Sequence, residues 1–288
     1  MASLPNPAPP ADDPAQLPAN GKSDNVAALE RGIAVLRCFT AEVKELSNAE
    51  LSRKTGIPKA TVTRLAVTLV RLGLLSQDSA TDTFSLAAGV VSLSQAFLAG
   101  LDVRALARPH MRALAEETGG SVYLAVRDGL EMVLIEISRP RMSMISSTLD
   151  IGSRVPLANS ALGRAYLGGI EPHEREQLIE TLHLSRGSEW ARLAPGLTRA
   201  LNEAARLGYA GSYTEWHREV SSIAVPLVGA SGEVMSLNCG GAAYWFTEER
   251  LHTEVAGRLL QTANTIAREI GGSVPRPAAS LRPASPAG

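Results

Sequence analysis

Residues 45–75, ELSNAELSRKTGIPKATVTRLAVTLVRLGLL, constrain the fold more than any other part of this chain. Ser47 is followed three residues later by Glu50, a capping-box pattern in which each side chain satisfies the other residue's exposed backbone N–H. The short helix so opened stops at Gly56. Pro58 suits the first turn of a further helix, where its missing N–H is not needed, and Gly73 ends that helix. Within it Val62, Leu65, Leu69 and Leu72 recur at the spacing of one helix face. Upstream, NVAALERGIAVLRCF offers Asn25 as a cap and apolar residues at 29, 33, 36 and 39, which predicts a preceding helix. Downstream, LLSQDSATDTFSL alternates around a polar turn, as a small hairpin does. Three helices with a short middle member, then a hairpin, is the layout of a winged helix-turn-helix. In that motif the third helix enters the major groove and its N-terminal side chains meet base edges.

Charge supports the same reading. The whole chain carries a net charge of only -1, yet residues 51–75 hold Arg53, Lys54, Lys59, Arg64 and Arg71 and no acid. A charge run is usually a solvated face, but an ordinary surface helix intersperses Glu with Lys and Arg to gain i,i+4 pairs. Cations without acids fit a surface that phosphates neutralise. Lys59, Thr63 and Arg64 project away from the apolar face, Thr61 sits at its edge, and Arg53 and Lys54 lie on the approach. These six are the expected DNA contacts.

The 288 residues suffice for about two domains. No apolar run approaches the roughly 20 residues of a membrane span, and the N-terminus lacks the pattern of a secretory signal, so a cytoplasmic location is expected. Cys38 and Cys239 form neither a metal-ligand nor a disulfide framework. Residues 1–24 and 272–288, rich in Pro and Ala, read as disordered tails. Between them the expected organisation is a DNA-binding domain over 25–86, a linker helix over 87–101, and a further domain over 102–271. The linker offers Val90, Leu93 and Phe97 as a seam for a second copy. In the third segment a helix follows, with Leu101, Leu106, Met111 and Leu114 available for burial and a kink expected at Pro109. SVYLAVRDGLEMVLIEIS reads as a hairpin around Asp128-Gly129, and RMSMISSTL as a third strand. Helices are expected at about 159–168, 171–183 and 195–207, strands at SSIAVPLV and EVMSLNCG, and a closing helix from Thr247 to Ile270. This is an α+β domain with helices packed on a mixed sheet.

The stretches ALERGIAVLRCF, ELSNAELSRKTGIPKATVTRLAVTLVRLGLL, DVRALARPHMRALAEETGGSVYLAVRDG, IGSRVPLANSALGRAYL and SSIAVPLV resemble, in succession, the IclR-type bacterial transcriptional regulators. The resemblance spans about 26–270. It implies a winged helix-turn-helix, a linker helix, and a GAF-like effector domain that binds a small organic acid in a homodimer or homotetramer. A helix N-terminus is a natural carboxylate seat, and the small residues of ANSALGRA let a ligand approach, so the amides of Ser160, Ala161 and Leu162 are candidates. Tight helix-on-sheet packing explains the small residues equally well. Ser222 and Asn238 interrupt apolar strands, and a buried polar group needs a partner, either a ligand or neighbouring backbone; both positions match ligand-contacting ones of the family pattern. Leu124, Val126, Ile223 and Leu237 are expected to line the same pocket. Ser212 stands where the family often has an acid, Ser222 where it often has Cys, and Asn238 where small-acid binders have Ser. These departures argue against glyoxylate- and pyruvate-class ligands and leave aromatic and other acids open.

No GxSxG, HExxH, Walker or CxxC pattern occurs, and His110, His173, His183, His217 and His252 show no metal-ligand spacing. The chain is therefore expected to be neither an enzyme nor a cofactor or metal protein. The expected partners are double-stranded operator DNA and a small carboxylate. The alternative is a metabolite-sensing module acting through a protein partner without DNA.

Overall fold

The computed structural model describes residues 26–40, 42–141 and 149–277. These divide into two compact units, residues 26–100 and 101–277.

In the first unit, α1 (Ala27–Leu36), α2 (Asn48–Thr55) and α3 (Lys59–Arg71) pack around Val35, Leu51, Val62 and Leu69. The capping box is complete. Ser47 N–H donates to Glu50 Oε2 at 2.8 Å, and Glu50 N–H donates to Ser47 Oγ at 3.4 Å. The Ser47 N–H, and the Ser47 hydroxyl that also donates to Oε2 at 2.7 Å, hold the Glu50 carboxyl below its ordinary pKa. Gly56 closes α2 at a φ of 67°, a conformation that favours glycine. Pro58 is the residue before α3 rather than its first. The buried stripe of α3 is Val62, Ala66 and Leu69, with Leu65 half-buried; Leu72, expected on that stripe, is 64% exposed. In α1 the buried positions are Gly32 and Val35, whereas Leu29 and Ile33 face outward, and the expected cap Asn25 lies outside the described residues. The hairpin is β2 (Leu75–Asp78) and β3 (Thr83–Leu86), and β1 (Glu45–Ser47) adds a third strand in the order β1-β3-β2. Helix α4 (Gly89–Ala99) ends the unit, with Val91, Leu93 and Phe97 exposed.

The second unit is built on six strands: β4 (Ser121–Asp128), β5 (Glu131–Ser138), β6 (Arg154–Pro156), β7 (Ala210–Tyr213), β8 (Val220–Val228) and β9 (Val234–Ala242). Their order is β6-β5-β4-β9-β8-β7, and every pair is antiparallel, so the expected mixed sheet is an antiparallel one. The β4–β5 turn has Gly129 at φ 62°. The predicted strand over RMSMISSTL falls almost entirely on 142–148, outside the described residues. Two strands carried no sequence prediction, β6 and β7.

Helices cover both faces. On one, α5 (Asp102–Thr118) and α10 (Ala256–Glu269) pack on β4, β5, β8 and β9. Helix α5 runs through Pro109 as one element and buries Val103, Ala107, Met111 and Leu114, while Leu106 is exposed. On the other lie α6 (Ala161–Gly169), α7 (Pro172–Arg186) and α8 (Trp190–Leu207). The closing helix is not uniform: α9 (Glu248–Arg250) leads through a π turn, Leu251–Val255, into α10. Ser273, expected in a disordered tail, bridges to Val228. Among the described residues no single helix is long and apolar enough to cross a membrane.

Candidate functional sites

The exposed side chains of α3 include Lys59, Thr63, Arg64 and Arg71, with Thr61 half-buried. Among the described residues, none of Arg53, Lys54, Lys59, Arg64 and Arg71 lies in an ion pair. The exposed Thr63 hydroxyl donates to Lys59 O at 3.0 Å and accepts from Asn48 Nδ2. Asn48 opens α2, so that bond fixes α2 against α3. Thr63 thereby braces the turn, beside the cations of Lys59 and Arg64, unpaired among the described residues.

In the second unit Ser160 caps α6. Its hydroxyl accepts from Gly163 N–H at 3.1 Å and donates to Pro156 O at 2.6 Å. Its own N–H reaches Pro156 O at 3.4 Å, so of the three proposed amides that of Ser160 is engaged. Ala161 and Leu162 open the helix, where amides have no intrahelical partner. Ser212 is buried and its hydroxyl donates to Asn159 O at 2.7 Å, which ties β7 to the start of α6 instead of leaving that group for a ligand.

Strand register separates the expected pocket lining into two sets. Ser212 pairs with Ser222, Ser222 with Gly240, and Ala224 with Asn238, so Ser212, Ser222, Ser236 and Asn238 share the face that α6 covers. Leu124, Ile223 and Leu237 are fully buried on the opposite face, toward α5 and α10, and Val126 shares it. They are core of that layer and do not line the same site. The residues that accompany Ser222 and Asn238 are Tyr123, Ala125, Ala161, Leu162 and Ala224.

Polar groups on this face are only partly satisfied. Asn238 Oδ1 accepts from Tyr123 N–H at 3.0 Å, while Nδ2 makes no hydrogen bond among the described residues. Ser236 Oγ and Asn159 Oδ1 are buried with no partner there. Sequence reading missed both, although Asn159 directly precedes the Ser160 cap and Ser236 lies two residues before Asn238.

The small residues of α6 serve packing at two positions. A Cβ on Gly163 would come within 2.2 Å of Leu157 O, and one on Gly169 within 2.4 Å of Pro226 Cβ. Arg164, in the same helix, is 1% exposed, and sequence reading passed over it. Its guanidinium donates to Ala158 O at 3.1 Å and Gly211 O at 2.8 Å, and pairs with Glu215 at 2.5 Å. Arg199 adds a second cation at 2.8 Å. Burial would raise the pKa of Glu215, but the bonds and charges of Arg164 and Arg199 outweigh it and hold the carboxyl low. An arginine amid ANSALGRAYL, otherwise small or apolar, was the available signal. This network fixes the segment before α6, β7, and the turn after β7.

Residues 28–79 match the IclR helix-turn-helix domain, and residues 95–268 the bacterial transcriptional regulator IclR C-terminal domain. The chain is 38% identical over 216 residues to the HTH-type transcriptional regulator TsaQ1/TsaQ2 of Comamonas testosteroni, covering 75% of this chain and 77% of that protein. It is 30% identical to the transcriptional repressor AllR of Escherichia coli, covering 85% and 90%. A crystal structure of an IclR family transcriptional regulator from Brucella abortus superimposes with a TM-score of 0.78 at 38% identity, over 86% of this chain and 94% of the other. An IclR homologue from Microbacterium hydrocarbonoxydans, complexed with 4-hydroxybenzoate, shares the fold at 21% identity, with a TM-score of 0.67, over 85% and 99%. These relatives are regulators rather than enzymes, and the helix-turn-helix match favours DNA binding over a module that acts without it.

Proposed function

Because the chain belongs to the IclR family of DNA-binding bacterial transcriptional regulators, we propose that it controls a catabolic operon in response to a small carboxylate, aromatic acids first among the candidates. The observation that carries the ligand reading is the half-satisfied polar face beneath α6. Ser236 Oγ and Asn159 Oδ1 are buried without partners, and Asn238 Nδ2 is unused among the described residues. Buried polar groups are normally hydrogen-bonded, so such a cluster in an apolar setting fits a ligand site. The carboxylate sits on the amides of Ala161 and Leu162 at the positive end of the α6 dipole. Ser222 and Asn238 supply neutral hydrogen bonds that set its orientation. That the same fold holds 4-hydroxybenzoate in a distant homologue makes aromatic acids a sensible first panel.

On the DNA side, Lys59 and Arg64 contact the operator from α3, with Arg53 and Lys54 on the phosphates beside it. One recognition helix covers too few base pairs to define a genomic site, so two copies reading two half-sites are expected. The half-buried Val90 and the exposed Leu93 and Phe97 of α4 are the seam for that pairing. The ligand shifts the operator-competent population by no more than its difference in affinity for the two states.

Calorimetry with aliphatic and aromatic acids on wild type and Ala161→Trp tests the pocket, and gel shift with each binder tests the response. A binding acid should lose affinity in the variant and alter operator retention by the wild type. An acid that binds Ala161→Trp as tightly as wild type places the pocket elsewhere. Operator retention indifferent to every binder refutes the ligand response.

A further inference from the structure

A separate cluster of polar side chains gathers where α8, β7 and the start of the closing helix meet. His252 stands in the π turn, a local geometry that recurs at functional sites. The Tyr209 hydroxyl lies 2.6 Å from its Nδ1, and the Tyr213 hydroxyl 3.2 Å from its Nε2. Glu248 Oε1, four residues earlier in the same helical segment, is 3.7 Å from Nε2. From α8, Glu203 Oε1 lies 3.4 Å from the Tyr213 hydroxyl, while Glu203 Oε2 accepts Gly211 N–H at 3.1 Å. The Gly211 amide therefore pins the carboxylate with its other oxygen toward the imidazole. One ligand atom each from Glu203, Glu248 and His252 falls within 4.8 Å of the others.

These spacings suit a tetrahedron. A zinc ion with ligands at ~2.0–2.1 Å has ligand-to-ligand edges of roughly 3.3–3.4 Å. Three of the six edges of such a four-ligand set, at 3.2, 3.4 and 3.7 Å, bracket that value, and the Glu203–Glu248 and Glu203–His252 spacings lie within 4.8 Å. We propose that Glu203, Glu248 and His252 bind a transition-metal dication such as zinc, with the Tyr213 hydroxyl at the fourth corner.

Three features of the surroundings agree. Two carboxylates face one imidazole, so the cluster carries surplus negative charge. Arg199 lies over the Tyr213 ring at 5.3 Å and offsets that charge only in part. Tyr209 lies within hydrogen-bond distance of Nδ1, and in the tautomer where Nδ1–H donates to it Nε2 presents its lone pair, the supporting bond that metal-binding histidines usually have. The imidazole donor selects zinc-like ions over magnesium or calcium, which prefer all-oxygen shells. Sequence reading found no metal site because it sought histidine spacing. Here Glu248 and His252 stand four residues apart, and Glu203 joins them from an element more than forty residues away. A bound ion would clamp α8 to the π turn beside β7.

The test is zinc titration of the full chain against a chromogenic chelator, together with the visible spectrum of the cobalt-loaded protein. One equivalent per chain is expected, with the intense d–d bands of four-coordinate cobalt. Loss of a direct ligand in His252→Gln should weaken binding more than about 100-fold, since loss of a supporting partner, as in Tyr209→Phe, already costs about 10–100-fold. Glu248→Gln, at a half-exposed side chain that folding tolerates, should weaken binding at least about tenfold by the same comparison. His110→Gln, remote from the cluster, should bind as wild type. Absence of stoichiometric zinc binding, or binding unchanged in both His252→Gln and Glu248→Gln, overturns the proposal.

Discussion

Glu215→Gln should destabilise the second unit by about 3 kcal/mol, toward the lower end of the ~3–5 kcal/mol that breaking a buried ion pair costs. The substitution keeps the shape of the side chain and removes the one carboxylate paired with Arg164 among the described residues. Arg164 is 1% exposed, so its charge cannot turn to water. Two effects hold the loss down: Glu215 is itself 27% exposed, and Arg164 keeps its bonds to Ala158 O and Gly211 O. At ~2–4 °C per kcal/mol for a unit of this size, the melting midpoint should fall by roughly 6–12 °C. Trp190, Trp216 and Trp245 all belong to the second unit, so tryptophan fluorescence of the full chain follows this unit alone. The pH dependence supplies the sign. The folded pKa of Glu215 is depressed, so its contribution is fully present above the unfolded value of about 4.3 and is lost as pH falls through the folded one. Wild type and variant should melt well apart at neutral pH and converge in acid. A neutral-pH gap below about 1 kcal/mol, the range of exposed pairs, refutes the reasoning, as does a gap that persists in strong acid.

Two further outcomes concern the first unit. Arg64→Ala should cost roughly 1–3 kcal/mol of operator affinity if the guanidinium reads a base, or lower the salt slope by about one if it holds a phosphate; unchanged affinity and slope in gel-shift titrations remove Arg64 from the interface. Ser47→Ala removes the hydroxyl half of the capping box, leaving the backbone N–H of residue 47 on Glu50, and should destabilise α2 by about 0.5–2 kcal/mol, visible as faster hydrogen exchange of its amides; equal protection would show that packing of Leu51 and the remaining bond hold the helix.

What could be read beforehand follows the range of the interactions involved. The capping box, the glycine stop at Gly56 and the Asp128-Gly129 hairpin depend on residues a few positions apart, and each stands where the sequence placed it. The face of a strand depends on register with its neighbours. That is why Leu124 and Ile223 were grouped with Ser222 although period two puts Ile223 and Ser222 on opposite sides. Leu29, Ile33 and Leu72 fit a helical stripe in sequence, yet the packing of α1, α2 and α3 buries a neighbouring stripe. Strand β7 is four residues with no alternating pattern, held by pairing to β8 and by Arg164 from α6. For the candidate sites, charge distribution marks the proposed DNA surface from the sequence alone. The pairing of Arg164 with Glu215, and the orphaned Asn159 and Ser236, exist only once distant segments meet.

The seating of α6 on glycines bears on how such a protein can change its preferences. With Leu157 backbone against Gly163 and Pro226 against Gly169, no side chain lies between the helix and its supports at those points. A bulkier residue there would displace the whole helix, whereas exchanges at positions 222, 236 and 238 alter the surface beneath it while leaving those supports intact. With the ligand in the proposed pocket, a change of ligand therefore has a cheap route through the strands and an expensive one through the helix. Libraries aimed at a different response should randomise the three strand positions and hold both glycines fixed.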